Sequence, residues 1–81
     1  MQQPLPLSRL ERGQEALICS IHAEGELHDR LRDLGFHEGG CVTCLFPSAF
    51  GDPRAYCVRD TVIALRNNDA AKIECILKGG E

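Results

Sequence analysis

The chain has no tryptophan, one tyrosine and three phenylalanines among its 81 residues. Only two lysines, Lys72 and Lys78, stand beside seven scattered arginines. That distribution builds no basic, aromatic-interleaved stripe of the kind that tracks a nucleic-acid backbone, and the net charge of −3 points the same way. No apolar run approaches the ~20 residues that a membrane-crossing helix needs. Residues 1–7 carry no basic segment followed by a long apolar one, so the reading is no signal peptide and a cytoplasmic protein. A Walker loop, a dinucleotide-binding glycine pattern and a GxSxG elbow are all missing. No nucleophile–base pair or paired carboxylate set stands out among the scattered acids, so an enzyme is not expected.

Cysteine is present in an odd number, at positions 19, 41, 44, 57 and 75. Without a signal peptide, that count speaks against a disulfide framework. Cys41 and Cys44 form a CxxC spacing, but Val42 and Thr43 between them favour a strand. Cα atoms three apart in a strand are ~10 Å apart, beyond disulfide reach, and no second CxxC exists to complete a zinc site. By strand parity Cys44 faces inward with Val42, and Cys75 with Ile73 and Leu77, while Cys41 faces outward.

At this length the chain is one domain, residues 1–81, with its core between about 10 and 77 and a frayed tail from Lys78 to Glu81. The segment it is organised around begins at Leu27. Leu27, Leu31 and Leu34 recur at i, i+4 and i+7 and make one apolar helix face. Glu26 and Arg30 add an i, i+4 pair. Gly35 stands where a left-handed residue would stop the helix, with Phe36 placed to contact Leu31 as in a Schellman ending.

Residues 4–12 read as an extended lead-in with Leu5, Leu7 and Leu10 as packing points. Strands are expected at 15–21, 41–46, 54–58, 61–66 and 73–77, with a tight turn at Arg59-Asp60. Asn67 would cap a single helical turn over 67–72. The expected fold is therefore mainly β: a small, closed or nearly closed barrel of about five strands. One short helix lies between the first two strands and a helical turn precedes the last.

Several segments together resemble the FeoA family of bacterial ferrous-iron transport. They are Arg30-Leu31-Arg32-Asp33-Leu34-Gly35-Phe36, Gly39, Gly51-Asp52-Pro53, Ile63-Ala64-Leu65-Arg66, and Asp69-Ala70 with Ile73. The chain departs from that pattern at Glu38 and Ala49, where the family often has proline, and at Asp60, where it often has glycine. The resemblance implies an SH3-like barrel and a non-enzymatic accessory role. The implied partner is FeoB, a membrane protein with a GTPase domain and a ferrous-iron permease. No nucleic acid and no membrane insertion are expected; a homodimer is the other association considered. The same module also ends some metal-dependent repressors. A detached repressor-type domain that binds peptides is therefore a further alternative, although 81 residues leave no room for a DNA-binding domain.

The expected partner-binding residues are Arg32, Leu34, Gly35 and Phe36 at the helix exit, the loop Phe50, Gly51, Asp52 and Pro53, and Arg66. Gly51-Asp52-Pro53 also has a plainer reading as a tight turn, and Phe36 as a core plug. His22, His28 and His37 flank the helix. With Glu24, Glu26 or Cys41 they form a candidate transition-metal set, beside the plainer reading of solvated histidines. No cofactor is expected to be required. Zinc or ferrous ion, weakly held or shared between two molecules, is the metal such a set would take.

Overall fold

The structure is a computed structural model that describes residues 3–47 and 51–78. Its elements are β1 (Leu5–Pro6), a 3-10 turn (Leu7–Arg9), β2 (Glu15–Ile21), α1 (Gly25–Leu34), β3 (Cys41–Pro47), β4 (Arg54–Val58), β5 (Thr61–Leu65), α2 (Asn67–Ala70) and β6 (Ile73–Leu77). The strands form one antiparallel sheet in the order β1-β6-β2-β3-β4-β5. The described residues thus form six strands, not five. The extra one is the two-residue β1, which pairs with β6 through Leu5 and Pro6. Proline has no N–H to give a ladder, so a strand built on Pro6 can only sit at an edge, and β1 does.

Alternation sorts the side chains as the sequence leads one to expect. Ala16 and Ile18 of β2, Val42 and Cys44 of β3, Tyr56 and Val58 of β4, Ile63 and Leu65 of β5, and Ile73 and Cys75 of β6 are all buried. Cys41 is exposed, so the two CxxC thiols lie on opposite faces, and all five cysteines are free. Leu7 and Leu10 fill the core from the lead-in. Burial, with Cys19 adding a smaller like-charge effect, pushes the Cys75 thiol up to about 11.

The sheet curls because β4 is tied back to the chain just after β1. The Arg54 guanidinium donates to the carbonyls of Ser8 and Leu10, the latter at 2.6 Å. The Tyr56 hydroxyl, also from β4, donates to the Leu7 carbonyl at 3.3 Å. Burial pushes that hydroxyl up to about 12 against the opposing pull of Arg54. Three carbonyls of an irregular turn are satisfied by side chains, and the barrel is nearly closed without a β1–β5 ladder.

Helix α1 ends as the Gly35 position predicts. Gly35 has φ 114°, its N–H donates to the Arg32 carbonyl, and the Phe36 N–H donates to the Leu31 carbonyl at 3.0 Å. Those are the two bonds of a Schellman ending. Leu31 and Phe36 are fully buried and Leu27 packs against the core. Leu34 departs from the expected stripe: it is 37% exposed. The chain reverses immediately after it, and Phe36 takes the core space instead.

Candidate docking surface at the helix exit

Two clusters hold the residues singled out from the sequence. In the first, α1 brings Asp29, Arg32 and Asp33 to one side of an open groove of about 450 Å³, and His37 closes the other side. A Cβ on Gly35 would lie 3.1 Å from Val58 Cγ1 and 3.4 Å from Arg59 Cδ, so the helix exit and the β4–β5 turn abut. Arg59 Nη1 donates to His37 Nε2 at 3.3 Å. Leu34 and Val62, exposed by 37% and 63%, are exposed apolar side chains close in sequence to this exit and turn. Phe36 does not face solvent at all. A fully buried side chain shapes the surface from beneath and makes no contact on it.

The second cluster is the loop Gly51-Asp52-Pro53 against α2. The Asp52 carboxylate accepts the Asn67 backbone N–H at 2.9 Å, and the Asn67 side-chain amide donates to the Gly51 carbonyl at 2.9 Å. The expectation that Asn67 caps α2 is therefore corrected. Arg66 is the N-cap residue with no side-chain cap bond, and the cap arrives from Asp52, fifteen residues earlier. Gly51-Asp52-Pro53 is more than a turn, because it closes a polar clamp on the start of α2. Phe50 lies outside the described residues. Arg66 is exposed. Helices α1 and α2 are joined by Arg30, which reaches Asp69 of α2 at 3.3 Å and not the Glu26 of the expected helical pair.

The histidines are not gathered by the fold. His22 Nε2 lies 3.3 Å from Glu74 Oε1 and 3.1 Å from Ser20 Oγ. His28 Nδ1 faces Asp29 at 3.8 Å, and His37 meets Arg59. Among the described residues, no group of three His, Cys, Asp or Glu side chains could hold a metal ion. His22, Glu24, His28, His37 and Cys41 thus do not make one site within a single chain. A metal at His37 Nε2 would first have to displace Arg59. Cys41 Sγ instead has Lys78 Nζ at 3.8 Å.

Ser20, His22 and Glu74 contain the residue types of a hydrolytic relay but not its geometry. A relay needs one ring nitrogen for the hydroxyl and the other for the acid. Here serine and glutamate meet the same nitrogen. The trio is a surface hydrogen-bond cluster.

Comparison with known proteins gives the family of the whole domain. The FeoA domain model matches residues 5–77. The Fe(2+) transport protein A/Fe(2+) transporter FeoB fusion protein of Porphyromonas gingivalis is 35% identical over 68 residues, 84% of this chain and 8% of that protein. The solution structure of iron(II) transport protein A from Clostridium thermocellum superposes with a TM-score of 0.91 at 34% identity, covering 94% of this chain and 47% of that one. FeoA of Stenotrophomonas maltophilia complexed with zinc, described as a procaryotic SH3 domain protein, superposes with a TM-score of 0.75 at 30% identity, covering 93% and 88%. The chain therefore spans a small part of the fusion protein and about half of the Clostridium chain. No helix of the described residues is long and apolar enough to cross a membrane. The sheet, the Schellman exit and the matched segment lead to one conclusion: the chain belongs to the FeoA domain family.

Proposed function

We propose that this FeoA domain docks on a FeoB-type transporter and modulates ferrous-iron uptake through it. The observation that carries the reading is the Porphyromonas protein, in which a FeoA-like segment and FeoB share one chain. Fusion raises the effective concentration of two modules that act together, so it supports an association of the same kind between separate chains. The docking surface is the α1 exit: Arg32 and the exposed Leu34, with Gly35 and Phe36 fixing their backbone. The loop ending at Pro53 and Arg66 are assigned as a second contact. A rigid barrel presenting a helix end and loops suits a binding module better than a catalyst.

Co-purification of the chain with a FeoB-type GTPase, with and without nucleotide, tests the assignment. Retention that is lost on Arg32→Glu supports it. No association under any nucleotide or ferrous-ion condition overturns it, and unchanged retention of Arg32→Glu removes the helix exit from the surface.

A second reading, a small metal-binding protein, draws on the zinc complex of the Stenotrophomonas relative. With no three-ligand group among the described residues of one chain, zinc or ferrous ion would bridge two copies through His22, His28 or His37. Calorimetric titration decides it: stoichiometric binding abolished by replacing the three histidines with alanine is the result this reading requires.

A further inference from the structure

The two edges of the sheet are protected very differently. β1 is two residues long and contains proline, which blunts an edge. β5 is five residues, Thr61-Val62-Ile63-Ala64-Leu65, without a charge or a proline. Val62 is 63% exposed and Ala64 is exposed, while Ile63 and Leu65 point into the core.

The hairpin geometry says which backbone groups on this edge are unused. Arg59 and Asp60 both have positive φ, 53° and 64°, and Val58 pairs with Thr61 across them. In such a two-residue turn the flanking pair is hydrogen-bonded, and bonded pairs alternate from there. Thr61, Ile63 and Leu65 therefore turn their N–H and C=O groups toward β4. Val62 and Ala64 turn theirs outward, and no described residue bonds them. Asp60 and Arg66, which flank the two ends of the edge, are exposed and lie equally far in sequence from Ile63. Neither side chain has a partner among the described residues.

We propose that β5 is a self-association edge, on which two copies of this chain pair their β5 strands antiparallel about a two-fold axis at Ile63. In this register Val62 lies opposite Ala64 of the second copy, and Ala64 opposite its Val62. Each is a pair whose free N–H and C=O groups face one another. The same register sets Asp60 opposite Arg66 of the second copy, and Arg66 opposite its Asp60. A carboxylate thus meets a guanidinium at both ends. Sliding the strands by one repeat loses both charge pairs, so the charges select the register. An isologous contact uses one surface twice, and an edge whose ends carry opposite charges equidistant from its centre is self-complementary. One short edge buries less than a standard interface, so the dimer is weak and concentration-dependent. It is a property of the chain alone and does not rest on docking to FeoB.

Sedimentation equilibrium of the full chain at low salt, over a wide concentration range, tests the pairing. The parent is expected to show a monomer–dimer equilibrium. Asp60→Arg sets arginine against arginine at both ends, and Arg66→Asp sets aspartate against aspartate. Each should weaken self-association at least about tenfold. An equimolar mixture of the two variants should dimerise again, because both ends of the mixed pair are complementary. That recovery also shows that the variants are folded. Ala64→Pro removes an outward N–H without touching the β4 ladder and should abolish the dimer with an unchanged circular dichroism spectrum. A parent that stays monomeric at every concentration, as it would if the edge served a strand of another protein, overturns the proposal. So does undiminished dimerisation of the three variants, or a mixture that fails to associate.

Discussion

The end of α1 and the start of α2 solve the same problem by opposite means. At the exit of α1, Gly35 and Phe36 satisfy the last helical carbonyls from within one stretch of six residues. At the start of α2, the cap is a carboxylate from a loop fifteen residues earlier, and the loop is in turn held by Asn67. The first is a local device that works wherever the segment folds. The second exists only once β4 and β5 have paired and brought Asp52 to Asn67. Stability at the two ends should therefore respond differently to substitution.

The largest effect is expected at the local device. Gly35→Ala puts a Cβ at a backbone angle hostile to L-residues and 3.1 Å from Val58 Cγ1. Such strain and crowding cost about 2–3 kcal/mol, read as a lower denaturant midpoint at unchanged slope.

Asp52→Ala should cost about 1 kcal/mol, the usual worth of an N-cap. Its effect should be confined: amide exchange at 67–70 accelerates while the strands stay protected. Uniform acceleration instead would mean that the loop–α2 clamp supports the whole barrel.

The tertiary contrast can be sharpened by alkali. The Tyr56 hydroxyl, which bonds Leu7 across the barrel, is pushed up to about 12, and the Cys75 thiol to about 11. Each is raised above its ordinary value, so the folded state holds its proton longer than the unfolded chain does. That stability is complete below about pH 9 and is lost as pH rises from 9 to 12. A denaturation series across that window should show the fall, with Tyr56→Phe removing part of it.

The smallest effect belongs to the other local reversal. Asp60 sits at φ 64° in the β4–β5 turn, where glycine is at ease. Asp60→Gly should stabilise the chain by about 0.5 kcal/mol, checked at a concentration low enough to keep it monomeric.

What was legible in the chain follows the same division. The leucine spacing, Gly35 and the strand alternation are short-range patterns, and they located α1, its ending and five strands to within a residue or two. Leu34 was misplaced because periodicity cannot see that the chain turns back one residue later. Phe36 was read both as a core plug and as a contact, and burial decides for the plug. Arg54 drew no notice, since an arginine in a strand looks like a surface charge until its target carbonyls are known. β1 went unseen because Leu5-Pro6 has no strand pattern and is defined only by its pairing with β6. The three histidines are not gathered within one chain for a related reason: proximity to a helix in sequence is not convergence in space.

By itself the amino-acid order determined the elements, their inward faces, the left-handed stop at Gly35 and the family pattern, because each rests on spacings of two to four residues. Only the tertiary structure decided that Asp52 caps α2, that Arg54 and Tyr56 hold the barrel nearly shut, and that β5 is left as an uncharged edge. Those are contacts between residues far apart in the chain, and their partners are chosen by how the sheet curls.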